Sequence, residues 1–243
     1  MYKMKWNIVL GICAVLIFAG LFAIRLGFFQ EEYTPDPAAP EPSLARFPET
    51  WMNIYQNKNK IGVIHRQFHQ LQSGRYQTEE KITMQINTLG VSQVIDVFTQ
   101  TELNRDMSFS SFTFELNSSL FRFVARGYTS QDKLIIFSGL PSSQKKTILP
   151  YQDALHISGN IYESAYWGNQ AVNTSRTFKI FDPSTLSVRP VSVKREPDEV
   201  IPIMGKRVFT QKFCADFMGA TNCAWLDKSG EVQKETGILG LSM

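Results

Sequence analysis

The sequence predicts a mainly β protein: a curved antiparallel sheet with one short helix, preceded by a single N-terminal transmembrane helix. Three observations predict it. Residues 6–24 carry no charge, later segments alternate apolar and polar residues, and turn-forming residues separate those segments with few helical stretches between them.

The N-terminal element follows from length and charge. A hydrocarbon core of roughly 30 Å requires about 17–25 mainly apolar residues at helical rise, and the uncharged run of 19 residues meets that length. Lys3 and Lys5 precede it, whereas Arg25 is offset by Glu31 and Glu32. The positive-inside bias therefore places residues 1–5 in the cytoplasm and takes residues 6–29 as an anchor in the inner (cytoplasmic) membrane. The remainder is exported, in a bacterial cell to the periplasm. A cleaved signal peptide would carry small residues near its cleavage site, where Phe18, Phe22 and Phe28 stand instead. Lipidation at Cys13 is disfavoured by the bulky Ile12 before it.

Residues 30–48 form a spacer. Pro35, Pro37, Pro40, Pro42 and Pro48 fix their own backbone angles and push each preceding residue toward extended conformations, so the segment is a semi-rigid stalk of about 3 Å per residue. Residues 49–243 then suffice for one exported β-rich domain. The net charge is only +3, with acids interleaved among the bases, as in Lys194-Arg195-Glu196. This excludes nucleic acid as a partner, which would require clustered positive charge.

Within that domain Ile82, Met84 and Ile86 share one phase of period two, as do Phe112, Phe114 and Leu116, and Phe209, Phe213 and Phe217. Turn signals stand at Gln72-Ser73-Gly74, Leu89-Gly90, Asn104-Arg105-Asp106, Asn117-Ser118-Ser119 and Ser229-Gly230. Near Val94 to Phe98 and Leu134 to Phe137 both phases are apolar, which predicts a sheet covered on both faces there. The covering element is expected between Asp153 and Trp167, where Leu155, Ile157, Ile161, Tyr162, Ala165 and Tyr166 form an apolar stripe and Ser158 caps the second half.

Cys214 and Cys223 predict a cross-strand disulfide. A two-residue turn at Met218-Gly219 sets Phe217 opposite Ala220 and, three pairs on, Cys214 opposite Cys223. Opposed β-carbons lie roughly 4.5–5.5 Å apart, which a disulfide can bridge with small adjustment, and an oxidising compartment preserves it.

No catalytic constellation is evident. His65 and His69 fall on one strand, where a spacing of four separates side chains by about 13 Å, too far to share a metal; no clustered carboxylates join them or His156. Glu79 and Glu80 point to opposite faces of a strand and cannot act as a glycosidase pair. The expectation is a non-enzyme without cofactor or metal.

Three groups of residues carry a family resemblance. Trp51-Met52-Asn53-Ile54-Tyr55-Gln56-Asn57 followed by Lys60-Ile61-Gly62, Phe181-Asp182-Pro183, and Trp225-Leu226-Asp227-Lys228-Ser229-Gly230-Glu231-Val232 resemble landmarks of a β-rich domain of bacterial envelope proteins that often precedes a transglutaminase-like module. The resemblance implies a sheet akin to the half-barrel of periplasmic lipoprotein carriers, which grips acyl chains in its concavity. The Cys-His-Asp core of a transglutaminase-like module does not follow, so the resemblance implies no catalysis.

Two functional expectations result. In the first, Met84, Phe98, Phe112, Phe114, Phe123 and Phe137 line a concave apolar site for a lipid or other hydrophobic ligand; Phe109, Phe121, Tyr128, Phe178 and Phe181 belong to the same aromatic set. In the second, the domain is an envelope scaffold whose sheet edge or rim engages a protein partner. Both use the membrane tether.

Overall fold

The structure, a computed structural model, describes residues 49–71, 74–88, 91–140, 143–217, 219–237 and 241–243. Among these residues no helix is long and apolar enough to cross a membrane; the predicted span at 6–29 and the spacer at 30–48 lie outside the described residues, as does the turn at Leu89-Gly90. The chain divides into two units. One comprises Pro40–Asp198 with Thr210–Met243, and of the other only Glu199–Phe209, the tip of a hairpin, is described.

The strands are β1 (Thr50–Gln56), β2 (Asn59–Gln70), β3 (Tyr76–Thr88), β4 (Val91–Leu103), β5 (Phe109–Ser118), β6 (Arg122–Ser130), β7 (Lys133–Ser138) and β8 (Lys145–Pro150). They continue as β9 (Leu155–Ile157), β10 (Ser175–Asp182), β11 (Ser187–Ile203), β12 (Lys206–Phe217), β13 (Ala220–Leu226), β14 (Val232–Thr236) and β15 (Leu241–Ser242). Helix α1 is Ile161–Trp167. The strands run side by side in the order β8-β7-β6-β5-β4-β3-β2-β1-β15-β14-β13-β12-β11-β10-β9, a curved, open, mainly antiparallel sheet.

Curvature has local causes. Register shifts between Ile54 and Tyr55, Glu102 and Leu103, and Trp225 and Leu226 mark irregularities of the kind that bend a strand and increase its twist. Gly62 on β2 allows close approach of its neighbour: a Cβ there would meet the Thr83 carbonyl oxygen and lie 2.7 Å from Met84 Cβ. Far-separated strands thereby face each other, and the Phe181 ring of β10 lies 5.7 Å from that of Phe109 and 4.9 Å from that of Phe112, both on β5.

The inward face carries two apolar clusters. One gathers Met52, Ile54, Ile64, Phe178, Phe213 and Leu226 around Ile161, Tyr162, Ala165 and Tyr166 of α1. The other is built on Tyr76, Leu103, Phe109, Phe112, Phe114, Leu134 and Ile136, with Leu155, Ile157 and Phe181. Two side chains of α1 fasten it to the sheet's far half, Tyr162 donating to the Asn222 carbonyl at 3.0 Å and Tyr166 to that of Lys228 at 2.8 Å.

Three expectations are corrected. Leu155–Ile157 is not helix but a short strand, paired in parallel with Lys179–Phe181 of β10; three buried residues, two of them aliphatic, fit a covered strand as well as a helical stripe. Ser158 does not cap the helix: it opens a 3-10 turn, Ser158–Asn160, and Asn160 is the N-cap residue, without a side-chain cap bond. The second apolar phase is not fully covered: Val94 is 50% exposed, as is Ile148 beside Ile135, while Phe98, Ile135 and Phe137 are half-buried.

The disulfide forms in the predicted register. Phe217 pairs with Ala220 and Cys214 with Cys223, at a Cα separation of 4.1 Å. Gly219 supplies a φ of 82° in the connecting turn. Reduction, or joint Cys214→Ser and Cys223→Ser substitution, is expected to lower the unfolding free energy by about 2–3 kcal/mol, read as a lower urea midpoint.

Candidate functional site

A polar band interrupts the inward face between the two apolar clusters. On β2 the inward phase runs Ile64, Arg66, Phe68, and on β3 it runs Tyr76, Thr78, Glu80, Ile82. Arg66 and Glu80 are direct cross-strand partners. Arg66 donates from Nε and Nη2 to Glu80 Oε2 at 2.8 and 2.6 Å, and from Nη1 to Glu163 Oε1 on α1 at 3.3 Å. Thr78 donates to Asn160 Oδ1 at 3.2 Å, a second buried tie between β3 and the helix start.

The charges of this band are strongly perturbed. Burial alone would lower the Arg66 pKa, but the carboxylates of Glu80, Glu163 and Glu235 outweigh it and hold the guanidinium above its ordinary value. Burial raises Glu163, only partly opposed by Arg66. Burial likewise pushes the β14 residue Glu235 up to about 7, against the pull of Arg66 and with Glu163 and Glu80 adding to the rise. Tyr162 is raised by burial and, less, by the carboxylates of Glu235 and Glu163.

Beside the band lies a cavity of about 240 Å³. Its apolar wall is Ile82, Val97, Phe114, Leu116 and Ile157; its polar wall is Arg66, Thr78, Glu80, Thr99 and Asn160, closed by Ser158-Gly159 and by Asp182-Pro183-Ser184. Asp182 is itself occupied, accepting from the Ser184 backbone N–H at 2.9 Å and from Arg189 Nη2 at 3.3 Å. Strand parity puts these β3, β4 and β5 side chains on one face, where Ile82, Val97 and Leu116 form one cross-strand row and Glu80, Thr99 and Phe114 the next.

The predicted ligand-binding residues divide between faces. Phe114 lines the cavity. Phe112 is buried in the second cluster, against which Phe123 packs, and Met84 packs on the first. Phe98 pairs with Lys81 and Glu115, in the phase opposite to the cavity-lining Val97, Ile82 and Leu116. Phe137 pairs with Arg126 and lies under Lys146 Nζ, 5.8 Å from the ring centroid, again opposite to the buried Ile136. Phe98 and Phe137 thus sit on the outer face and do not join the concave set. Arg66, Glu80 and Asn160, which line the cavity, and Glu163, bonded to Arg66, are not among the ligand-binding residues expected from the sequence. Their sequence signal was a polar residue inside an apolar phase, Arg66 between Ile64 and Phe68 and Glu80 two before Ile82.

Two of the three histidines are engaged elsewhere. His65 Nε2 lies 2.6 Å from Glu49 and its ring stacks on Trp51 at 4.0 Å. His156 is buried, with Nδ1 3.1 Å from the Met107 carbonyl, and burial lowers its pKa. Among the described residues no group of three or more His, Cys, Asp or Glu is placed to hold a metal ion.

No protein-family model matches the chain, and no curated protein does. Solved structures do resemble it. A β-barrel-like protein of the domain of unknown function DUF1849 from Brucella abortus superposes with a TM-score of 0.60 at 12% identity, over 80% of this chain and 92% of that one. A DUF1089 family protein from Pseudomonas aeruginosa aligns more loosely, with a TM-score of 0.44 at 11% identity over 84% and 95% of the two chains. The first likeness places the fold among β-barrel-like, half-barrel-like domains.

Two measurements probe the band. Arg66→Met leaves Glu80 and Glu163 without their cation and is expected to cost about 3–5 kcal/mol of stability in urea unfolding, partly recovered in Arg66→Met/Glu163→Gln. The Glu235 pKa, about 7, lies above its unfolded value of 4.5, so the folded state holds that proton more tightly. Stability from this group is complete below about pH 4.5 and is lost as pH rises through about 7. Glu235→Gln is expected to remove that loss, which is at most about 3 kcal/mol because the residue keeps partial exposure.

Proposed function

We propose that this chain is a membrane-anchored, non-catalytic β-domain of the cell envelope that binds a hydrophobic or lipid-like ligand on the inward face of its sheet. The observation that carries this reading is the cavity whose apolar side is Ile82, Val97, Phe114, Leu116 and Ile157 and whose other side ends on Arg66 and Glu80. An amphiphile matches such a lining: its chain lies along the apolar wall and its polar end meets the band. At about 240 Å³ the space is below the roughly 300–1,000 Å³ typical of sites for drug-sized molecules, which favours a single short chain over a two-chain lipid. The uncharged stretch at 6–24 supports anchoring in the inner membrane with the domain in the periplasm. The motifs resembling envelope domains that precede transglutaminase-like modules agree with that compartment, as does a disulfide.

A second reading, an envelope scaffold, draws on the outer face. Tyr128, Ile135 and Ile148 are cross-strand neighbours on β6, β7 and β8, and Tyr128 and Ile148 are 45% and 50% exposed. The edge strand β8 is blunted by Lys145, Lys146 and a terminal Pro150, so a protein partner would meet this face rather than add a strand.

Native mass spectrometry of the full chain after mild extraction is expected to show a bound amphiphile. Calorimetric titration of the stripped protein with 1-decanol should then give one site, weakened at least tenfold in Val97→Phe, which fills the cavity. A ligand-free mass together with no titratable heat would overturn the ligand reading. A membrane crosslink lost on Ile148→Asp would support the scaffold instead.

A further inference from the structure

We propose that the tip of the β11–β12 hairpin is a bilayer-contacting loop, with Met204 entering the interface and Lys206 and Arg207 meeting anionic headgroups. Met204 and Gly205 form the turn with φ of 47° and 81°. Positive φ at both central positions is the hairpin geometry that Asn-Gly satisfies best, because Asn and Gly tolerate the left-handed region while a long apolar side chain is disfavoured there. Met204 is nevertheless the residue present, and it is 99% exposed. It therefore contributes nothing to a core in return for its unfavourable backbone.

The neighbours extend the same chemistry. Val200 is 40% exposed, Pro202 is exposed and Ile203 is half-buried, so the β11 arm leading into the turn presents aliphatic surface beside Met204. Lys206 and Arg207 follow immediately and are exposed, and Glu199, at the base, is the single acid in Glu199–Phe209. Apolar side chains at an apex with cations just behind them suit the boundary between acyl chains and headgroups.

A bilayer rather than a protein is the occupant to which the rest of the chain points. Residues 6–24 read as a span and residues 30–48 as a stalk, which at about 3 Å per residue reaches at most about 60 Å. The domain is thus held where a membrane surface is always at high effective concentration. The inference rests on that tether.

The test uses the full chain with Cys13→Ala and Met204→Cys, labelled at residue 204 with the fluorophore NBD and reconstituted in phosphatidylcholine/phosphatidylglycerol vesicles. A parallel sample carries the label at Gln131→Cys, in the exposed β6–β7 turn. Flotation of the vesicles reports the tether independently. The expected result is flotation of both samples, with doxyl-lipid quenching at 204 at least threefold greater than at 131 and reduced at least threefold by Lys206→Gln/Arg207→Gln. Flotation without quenching at 204 overturns the tip while leaving the tether intact. Failure to float overturns the tether and this inference together. A blue shift at 204 that doxyl lipid does not quench assigns the tip to a protein partner and also overturns it.

Discussion

The guanidinium of Arg66 is the constraint on which the inward face depends. It joins a strand neighbour, Glu80, to a helix residue, Glu163, and so fixes both where α1 sits and which way it is turned. A buried cation with a single carboxylate seldom repays its desolvation, and replacing such a pair by apolar residues is often neutral or favourable for stability. Its retention is better understood as positional. An apolar residue at 66 would let the two clusters merge and would allow the short helix to slide along a uniformly greasy surface; the ion pairs and the Thr78–Asn160 hydrogen bond define one seat. The cavity exists because that seat holds Asn160 and the 3-10 turn at one side of β3 and β4.

The seven-residue helix could not hold this place by propensity, since isolated helices shorter than about 12–15 residues are marginal in water. Six of its seven residues are buried, including Glu163. Its stability is tertiary, supplied by Tyr162 and Tyr166 on the β13 side and by Arg66 on the β2 side. The helix is therefore a crosspiece between two halves of one sheet. Phe181, packed with tilted rings against Phe109 and Phe112, makes the equivalent connection in the second cluster without a helix.

Much of this architecture was legible in the amino-acid order, and what was not has physical causes. Period-two alternation identifies β3, β5 and β12, and symmetric counting from a turn finds the disulfide, because both signals are local. Parity alone also distinguishes Phe114 from Phe98 once each strand's inward phase is known, but assigning that phase on β4 requires knowing which face is covered. Val94 and Val97 are equally apolar, and only one of them is inward. The parallel β9 was hidden because three residues fit strand or helix equally. The ion cluster was hidden for a different reason: Glu80 and Glu163 are 83 positions apart, and no local pattern connects a carboxylate on a strand to one on a helix. What was readable was the anomaly itself, a charged residue in an inward phase.

That anomaly also determines what the cavity can accept. Arg66 faces three carboxyl groups, so with every group ionised the band would carry a net charge of −2, unsustainable in a weakly solvated setting. The raised pKa of Glu235, about 7, relieves part of it, and burial shifts Glu163 in the same direction against the pull of Arg66. A polar group entering beside Arg66 would meet hydrogen-bonding atoms, and an anionic end would compete with Glu80 for the guanidinium at 2.6 Å. Because carboxylate and guanidinium are held in adjacent strands by the sheet's own register, that competition disfavours a strongly anionic headgroup. Under the proposed function the band ends an apolar wall with hydrogen-bonding groups, and the length and hydrogen bonding of an amphiphile are the properties it would discriminate.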